Sequence, residues 1–274
     1  MFETETHSPT PAIEMRGVTV ATMRDASRVV AEGINWTVHA GEFWVVAGPQ
    51  RSGKSDLLML TGGLMSPVRG MYRCFGEEMP VFEEERLPQR LRLGLVFNSG
   101  QLFNQMTLAE NVALPLRYHE NLTCAAAEPR VQALMEMMEL TPVAHQSPGT
   151  VARNWQKRAG LARALMLQPD VLLLDNPLSG LDARHAAWWL NFLEQLSVGH
   201  SFKGGRPMTI VATTEDLRPW LGNKRKFALI DEKTFSVIGT QEQLTASNDP
   251  LVRELLSGEA ATPSPDAVVV KRET

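Results

Sequence analysis

GPQRSGKS, residues 48–55, follows the apolar run EFWVVA and precedes SDLLMLTGGLM, whose apolar residues recur at helical spacing. Two glycines separated by four residues, then lysine and serine, between a strand and a helix, are the pattern of a phosphate-binding loop. Backbone N–H groups of Gly53, Lys54 and Ser55 would point into a concavity at a helix N-terminus, where the helix dipole favours negative charge. Lys54 would reach the β and γ phosphates of a nucleotide, and the Ser55 hydroxyl would ligate Mg²⁺. From average residue usage the pattern arises by accident in about one chain of this length in a hundred, before its strand and helix context is counted. Gly48, Pro49, Gln50, Arg51, Ser52, Gly53, Lys54, Ser55 and Asp56 are therefore the predicted nucleotide-binding residues. Arg51 puts a bulky cation inside the loop, able to strengthen phosphate contact or to crowd it.

A second apolar run, VLLLDNP at 171–177, ends in Asp175, and PLSGLD follows at 177–182. An acid ending a buried strand is a weak signal alone. Paired with the loop, Asp175 is the predicted partner of Ser55 for Mg²⁺, held through water. Nucleotide hydrolysis usually needs a second acid directly after it, and that residue is Asn176.

Around these motifs the chain alternates strand and helix. AIEMRGVTVATM and GINWTVHAGEFWVVAG suggest antiparallel strands leading into a buried one, PVRGMYRCFGEEM a strand and turn, and LRLGLVFNSG another strand. Residues 106–145 turn helical, with a methionine and leucine stripe in RVQALMEMMEL that reads as a packing face. KRAGLARALMLQ is a helix, MTIVATT a strand, KFALIDEKTFSVIG a terminal hairpin, and QEQLTASNDPLVRELLSGE a closing helix or pair. Strands alternating with helices predict an α/β fold with a mostly parallel sheet.

Composition narrows the class. A net charge of −4 with 21% charged residues gives no basic excess, so nucleic acid is not an expected partner. Cys74 and Cys124 lack metal-ligand spacing and fit reduced packing residues. The polar, acidic start MFETETHSPTPAIEM is unlike a signal peptide, and no window approaches the roughly 18 apolar residues of a membrane span. The expected location is the cytoplasm, with any membrane role exercised through a partner.

GPQRSGKS, VLLLDNP and SGLD in this order resemble the ATP-binding cassette (ABC) ATPases that drive ABC transporters. The resemblance runs from about residue 12 to 260. LGLVFNSGQLFNQMTLAENVALPLRYHENL and the ending NDPLVRELLSGEA are most similar to the Mla/Mce-type phospholipid-transport ATP-binding subunits. The resemblance implies a P-loop, RecA-like core with an N-terminal antiparallel β subdomain and a helical subdomain at about 100–160. The polar start at 1–11 and the ending ATPSPDAVVVKRET at 261–274 read as flexible ends around one ATP-binding domain at 12–260. ATP and Mg²⁺ are the implied cofactors. The implied partners are integral membrane permease subunits, a second ABC ATPase subunit in a homo- or heterodimer, and an Mce-type lipid-binding protein. The place is then the cytoplasmic face of the plasma membrane.

The chain departs from the family pattern at several positions. The signature segment, usually LSGGQ, reads VARNW at 151–155. Ala152 has no hydroxyl, and Arg153 and Asn154 put side chains where glycines leave room, although Arg153 offers a substitute charge. Asn176 stands at the catalytic-base position, and a carboxamide can orient water but is scarcely basic. Aligning TTEDL with the family's T-H-D-L puts Thr214 at the switch-histidine position, where it can hydrogen-bond but cannot carry positive charge. Asn98 in VFNSG replaces the glutamine that reaches Mg²⁺, with Gln101 off register. The adenine-stacking aromatic expected at 20–26 is absent from VATMRDA, leaving Met23 as a weaker base contact. His39, His145 and His185 have no acid or metal partner legible in the sequence and read as structural. Phosphate and metal contacts are kept while the groups for catalysis are lost, so hydrolysis is expected to be slow or absent. The alternatives are a pseudo-ATPase beside an active paralogue, a soluble ABC protein outside transport, and a different P-loop enzyme such as a small-molecule kinase. The last leaves SGLD unexplained.

Overall fold

The computed structural model describes residues 10–79, 84–222 and 224–258. The tail expected at 261–274 lies outside them, as does the expected flexible start apart from Thr10 and Pro11. β1 (Ile13–Thr22) and β2 (Asp25–Val38) pair antiparallel. In β1, Ile13 and Met15 are buried, then Val18 and Val20. The two-residue alternation slips between them because the register shifts between Met15 and Val18, where Gly17 has φ 58°. Such a bulge returns the apolar residues to the same face.

β3 (Phe43–Ala47) is buried at every position and leads through the phosphate loop into α1 (Lys54–Thr61). β4 (Arg69–Cys74) and β5 (Glu77–Glu78) complete a four-stranded antiparallel sheet of order β2-β1-β4-β5. A short α2 (Leu87–Leu91), which the sequence pattern does not announce, precedes β6 (Leu93–Val96). Next come α3 (Leu108–His119), α4 (Cys124–Met137) and α5 (Arg153–Leu165). Thr107 and Glu110 close a reciprocal capping box at the start of α3, and the Thr123 hydroxyl caps α4.

β7 (Val171–Leu174), α6 (Ala183–Val198), β8 (Thr209–Thr214), β9 (Arg225–Asp231), β10 (Thr234–Gly239), α7 (Gln241–Thr245) and α8 (Pro250–Ser257) finish the described chain. The second sheet has the order β10-β9-β3-β8-β7-β6, parallel throughout except for the β9–β10 hairpin. This is the predicted α/β P-loop architecture.

β3 runs through the middle of that sheet and feeds both of its faces. Trp44 and Val46 join a core with Trp36, Leu57, Leu58, Leu173 and Ile230, beneath the antiparallel sheet. Phe43, Val45 and Ala47 join the opposite core with helices α3 to α6. Period-two alternation in a strand buried on both sides explains why EFWVVA reads as one unbroken apolar run. Trp36 and Trp44 meet edge to face at 5.6 Å, tying the sheets together. Leu134, Met135 and Met138 are buried in the second core, the packing face their stripe predicts. Cys74 is buried as expected, whereas Cys124 is exposed at the start of α4 and fills no core position.

Candidate nucleotide and metal site

The loop after β3 is shaped by contacts that its sequence makes possible. Gly53 has φ 98°, and a Cβ there would lie 2.7 Å from the Val30 side chain. Glycine is required on both counts. Arg51 also has positive φ, 64°, although it is not a glycine. The Lys54 ammonium, 5% exposed, donates to the carbonyls of Gly48 at 2.8 Å and Pro49 at 2.5 Å and lies 4.0 Å from Glu215 Oε1. Burial pulls its pKa below the ordinary lysine value, opposed by Glu215, Asp175 and Asp231.

The Ser55 hydroxyl donates across the sheet to Asp175, 2.9 Å from each carboxylate oxygen. Thr213 Oγ1 donates to Asp175 Oδ1 at 3.1 Å and accepts the Asn176 N–H at 3.0 Å. A hydroxyl and a carboxylate facing each other beside a helix N-terminus are the hard oxygen donors that Mg²⁺ takes alongside water and phosphate oxygens. Among the described residues no group of three or more His, Cys, Asp and Glu is placed to hold a metal. The residues present thus fit a shared protein–nucleotide metal site.

A cavity of about 280 Å³ collects these groups: Arg51, Gly53, Lys54, Ser55, Asp56, Asn98, Asp175, Asn176 and Glu215, with Thr22, Arg28 and Val30 from the antiparallel sheet. Arg51, Arg28 and Val30 also line a neighbouring cavity that takes in Pro49, Gln50 and Ser52. Gly48 lines neither; its N–H donates to the Thr214 carbonyl.

Three expectations need correction. Thr214 ends β8 buried, with its hydroxyl bonded to Asp216, and it does not line the cavity. The next residue, Glu215, does, because successive side chains at a strand end leave in opposite directions. Pairing T-E-D-L at 214–217 with T-H-D-L would have found it. Met23 is 59% exposed and lines neither cavity; its N–H is bound by Asp56 Oδ1 at 3.0 Å. Thr22 and Arg28 stand at the wall instead, on positions that strand alternation alone does not single out. His185 does have an acid: its Nδ1 lies 2.7 Å from Asp182 Oδ2, and its Nε2 lies 2.9 Å from Asn154 Nδ2.

VARNW takes up the start of α5. Ala152 is an N-cap with no side-chain bond, and Arg153 donates to Asn98 Oδ1 at 3.2 Å. Asn98 itself is held by the seating of its turn. A Cβ at Gly160 would lie 2.8 Å from Gly100 Cα, and Arg163 donates to the carbonyls of Gly100 and Gln101, each at 2.9 Å.

Residues 31–179 match the family described as ABC transporter. The chain belongs to the ABC transporter family. This ABC domain is 31% identical over 249 residues to the intermembrane phospholipid transport system ATP-binding protein MlaF of Escherichia coli strain K12, covering 89% of this chain and 90% of that protein. It is 31% identical over 253 residues to the probable ribonucleotide transport ATP-binding protein mkl of Mycobacterium tuberculosis strain H37Rv, covering 92% of this chain and 68% of the relative. Among solved structures it is similar to the dimeric post-hydrolysis state of the ATP-binding cassette MJ0796 bound to ADP and Pi, with a TM-score of 0.70 and 25% identity. That likeness covers 81% of this chain and 95% of the other. The ABC domain is thus an ATP-binding subunit of a transporter, and among its described residues no helix is long and apolar enough to cross a membrane.

Proposed function

We propose that this subunit binds Mg-ATP in the cavity between Lys54, Ser55 and Asp175 and turns it over slowly or not at all. The observation that carries this reading is the 2.9 Å contact of Ser55 with Asp175, beside a base position filled by Asn176. Bound Mg²⁺ would neutralise phosphate charge. This chain's own residues supply the rest: Lys54 binds the phosphates, Ser55 and Asp175 hold the metal, and Arg28 and Arg51 face the anion. Asn176 orients water but takes no proton. Glu215, which faces the cavity 4.0 Å from Lys54, opposes a further negative charge where a cationic switch would favour it.

By its likeness to MlaF we assign the transported class as lipid, moved by integral membrane permease subunits with an Mce-type lipid-binding protein. The ABC domain then sits on the cytoplasmic face of the plasma membrane and dimerises with a second ABC ATPase subunit, identical or not. A second reading, a regulatory pseudo-ATPase beside an active paralogue, is favoured by the bonds Arg153 and Asn154 make within their own subunit.

Phosphate release by the assembled complex tests both. Wild type should stay within a few-fold of the Lys54→Ala background, and Asn176→Glu should restore little, since a glutamate would have to take the left-handed φ of 44° that suits asparagine. Brisk turnover by wild type that Lys54→Ala abolishes would overturn the slow-hydrolysis reading.

A further inference from the structure

The first two turns of α5 are bonded to the wall of their own subunit's cavity. Lys157 is 1% exposed, and its ammonium donates to the carbonyls of Asn176 at 3.1 Å, Pro177 at 2.9 Å and Ser179 at 2.8 Å. Three acceptors use the whole donor capacity of an ammonium. All three lie on the loop that leaves β7. One turn earlier, Arg153 holds Asn98, and Asn154, 8% exposed, holds His185 at the start of α6. Residues at i, i+1 and i+4 of one helix thus secure three separate pieces of the cavity's surroundings.

The loop after β7 needs such a hold. Asn176 has φ 44°, a conformation that persists where its surroundings impose it. Its N–H is taken by Thr213 and its carbonyl by Lys157, so the peptide groups on both sides of the residue are pinned. Asp175 stands directly before it and faces Ser55.

We propose that Lys157 is a positioning residue for the metal end of the cavity, fixing the backbone of residues 176–179 and thereby the placement of Asp175 against Ser55. The inference rests on reading the cavity as a Mg-nucleotide site, and it goes further by giving a role to a buried cation that does not itself line the cavity. Removing the ammonium takes a donor from all three carbonyls, of which that of Asn176 keeps the Ser179 N–H at 3.2 Å, and loosens the loop. Arginine can still serve two of them.

Two measurements on the full chain test it, with Lys157→Met, Lys157→Gln, Lys157→Arg and Lys54→Ala. Calorimetric titration of AMP-PNP without metal and with Mg²⁺, backed by Mn²⁺ paramagnetic resonance, reads the metal. Loss of a residue that orients a metal ligand should cost about 10-fold in metal-dependent affinity, with metal-free affinity kept within about twofold. Lys157→Arg should recover most of it. Hydrogen exchange of amides 176–182 in the nucleotide-free protein reads the loop. It should quicken about 10-fold in Lys157→Met and Lys157→Gln while β7 and the middle of α5 stay unchanged. Unchanged exchange in the loop, or metal-free and metal-loaded affinities falling together with the melting temperature, would overturn the proposal. Failure of wild type to bind AMP-PNP at millimolar concentration would sink the nucleotide reading instead, and the exchange result would still decide whether Lys157 holds the loop.

Discussion

Lys157 pairs full burial with three carbonyl partners, and burial is the largest influence on its proton. Burial pushes the ammonium down to about 8, with Arg153 acting in the same direction and Asp175 against it. Between about 8 and the ordinary value of 10.5, the unfolded chain binds a proton that the folded chain does not. Stability therefore rises with pH across that window, and below it the burial cost is carried in full. The urea midpoint of wild type, measured against Lys157→Met, is expected to climb from pH 8 to pH 10, whereas Lys157→Arg against the same reference should stay flat. Neither the lysine's burial nor its partners is visible in QKRAGLARAL, where it reads as one more polar residue of a basic helix. Lys54, Ser55 and Asp175 are legible because each ends a local pattern: a glycine-spaced loop or an apolar strand. Glu215 is not legible from periodicity, because a strand end gives no repeat by which to choose between neighbouring residues; only the pairing of T-E-D-L with T-H-D-L marks it.

α5 shows how an element couples packing to the site. Gly160 faces the turn at Gly100, and a methyl added there would meet Gly100 Cα at 2.8 Å and its carbonyl at 3.1 Å. The same turn places Asn98 at the cavity. Gly160→Ala improves helix propensity, which alone would favour stability by about 1 kcal/mol. Overpacking against backbone costs about 1–3 kcal/mol and should win, because a main-chain turn bound by Arg163 has little room to give. Urea unfolding should report a net loss of about 1 kcal/mol, and a gain would show that the turn moves freely. β3 illustrates the opposite case: five consecutive buried residues need only the strand pattern to be predicted, since both faces meet core.

At the scale of the whole molecule, the cavity is built by both sheets. Thr22, Arg28 and Val30 come from the antiparallel one, and the loop, Asp175, Asn176 and Glu215 from the ends of the parallel one. A ligand bridging them stabilises the folded chain as a unit. At 100 times its dissociation constant, Mg-ATP should add about 2.7 kcal/mol, or about 5 °C in melting temperature for a chain of this size. Scanning fluorimetry should show EDTA removing much of the gain and Lys54→Ala all of it. A shift equal in wild type and Lys54→Ala would place the ligand elsewhere.

GPQRSGKS, VLLLDNP and the strand–helix alternation determined the α/β fold, the pattern of the phosphate loop and the proposed metal residues Ser55 and Asp175, because each depends on neighbours within one loop, strand or helix. Tertiary structure decided that Glu215 and not Thr214 faces the cavity, which periodicity left open, and it alone decided that Arg28 joins it and that VARNW is bonded to its own subunit. Those facts depend on how a strand end is turned and on which residues, far apart in the chain, a packed helix meets. Local periodicity carries no record of either.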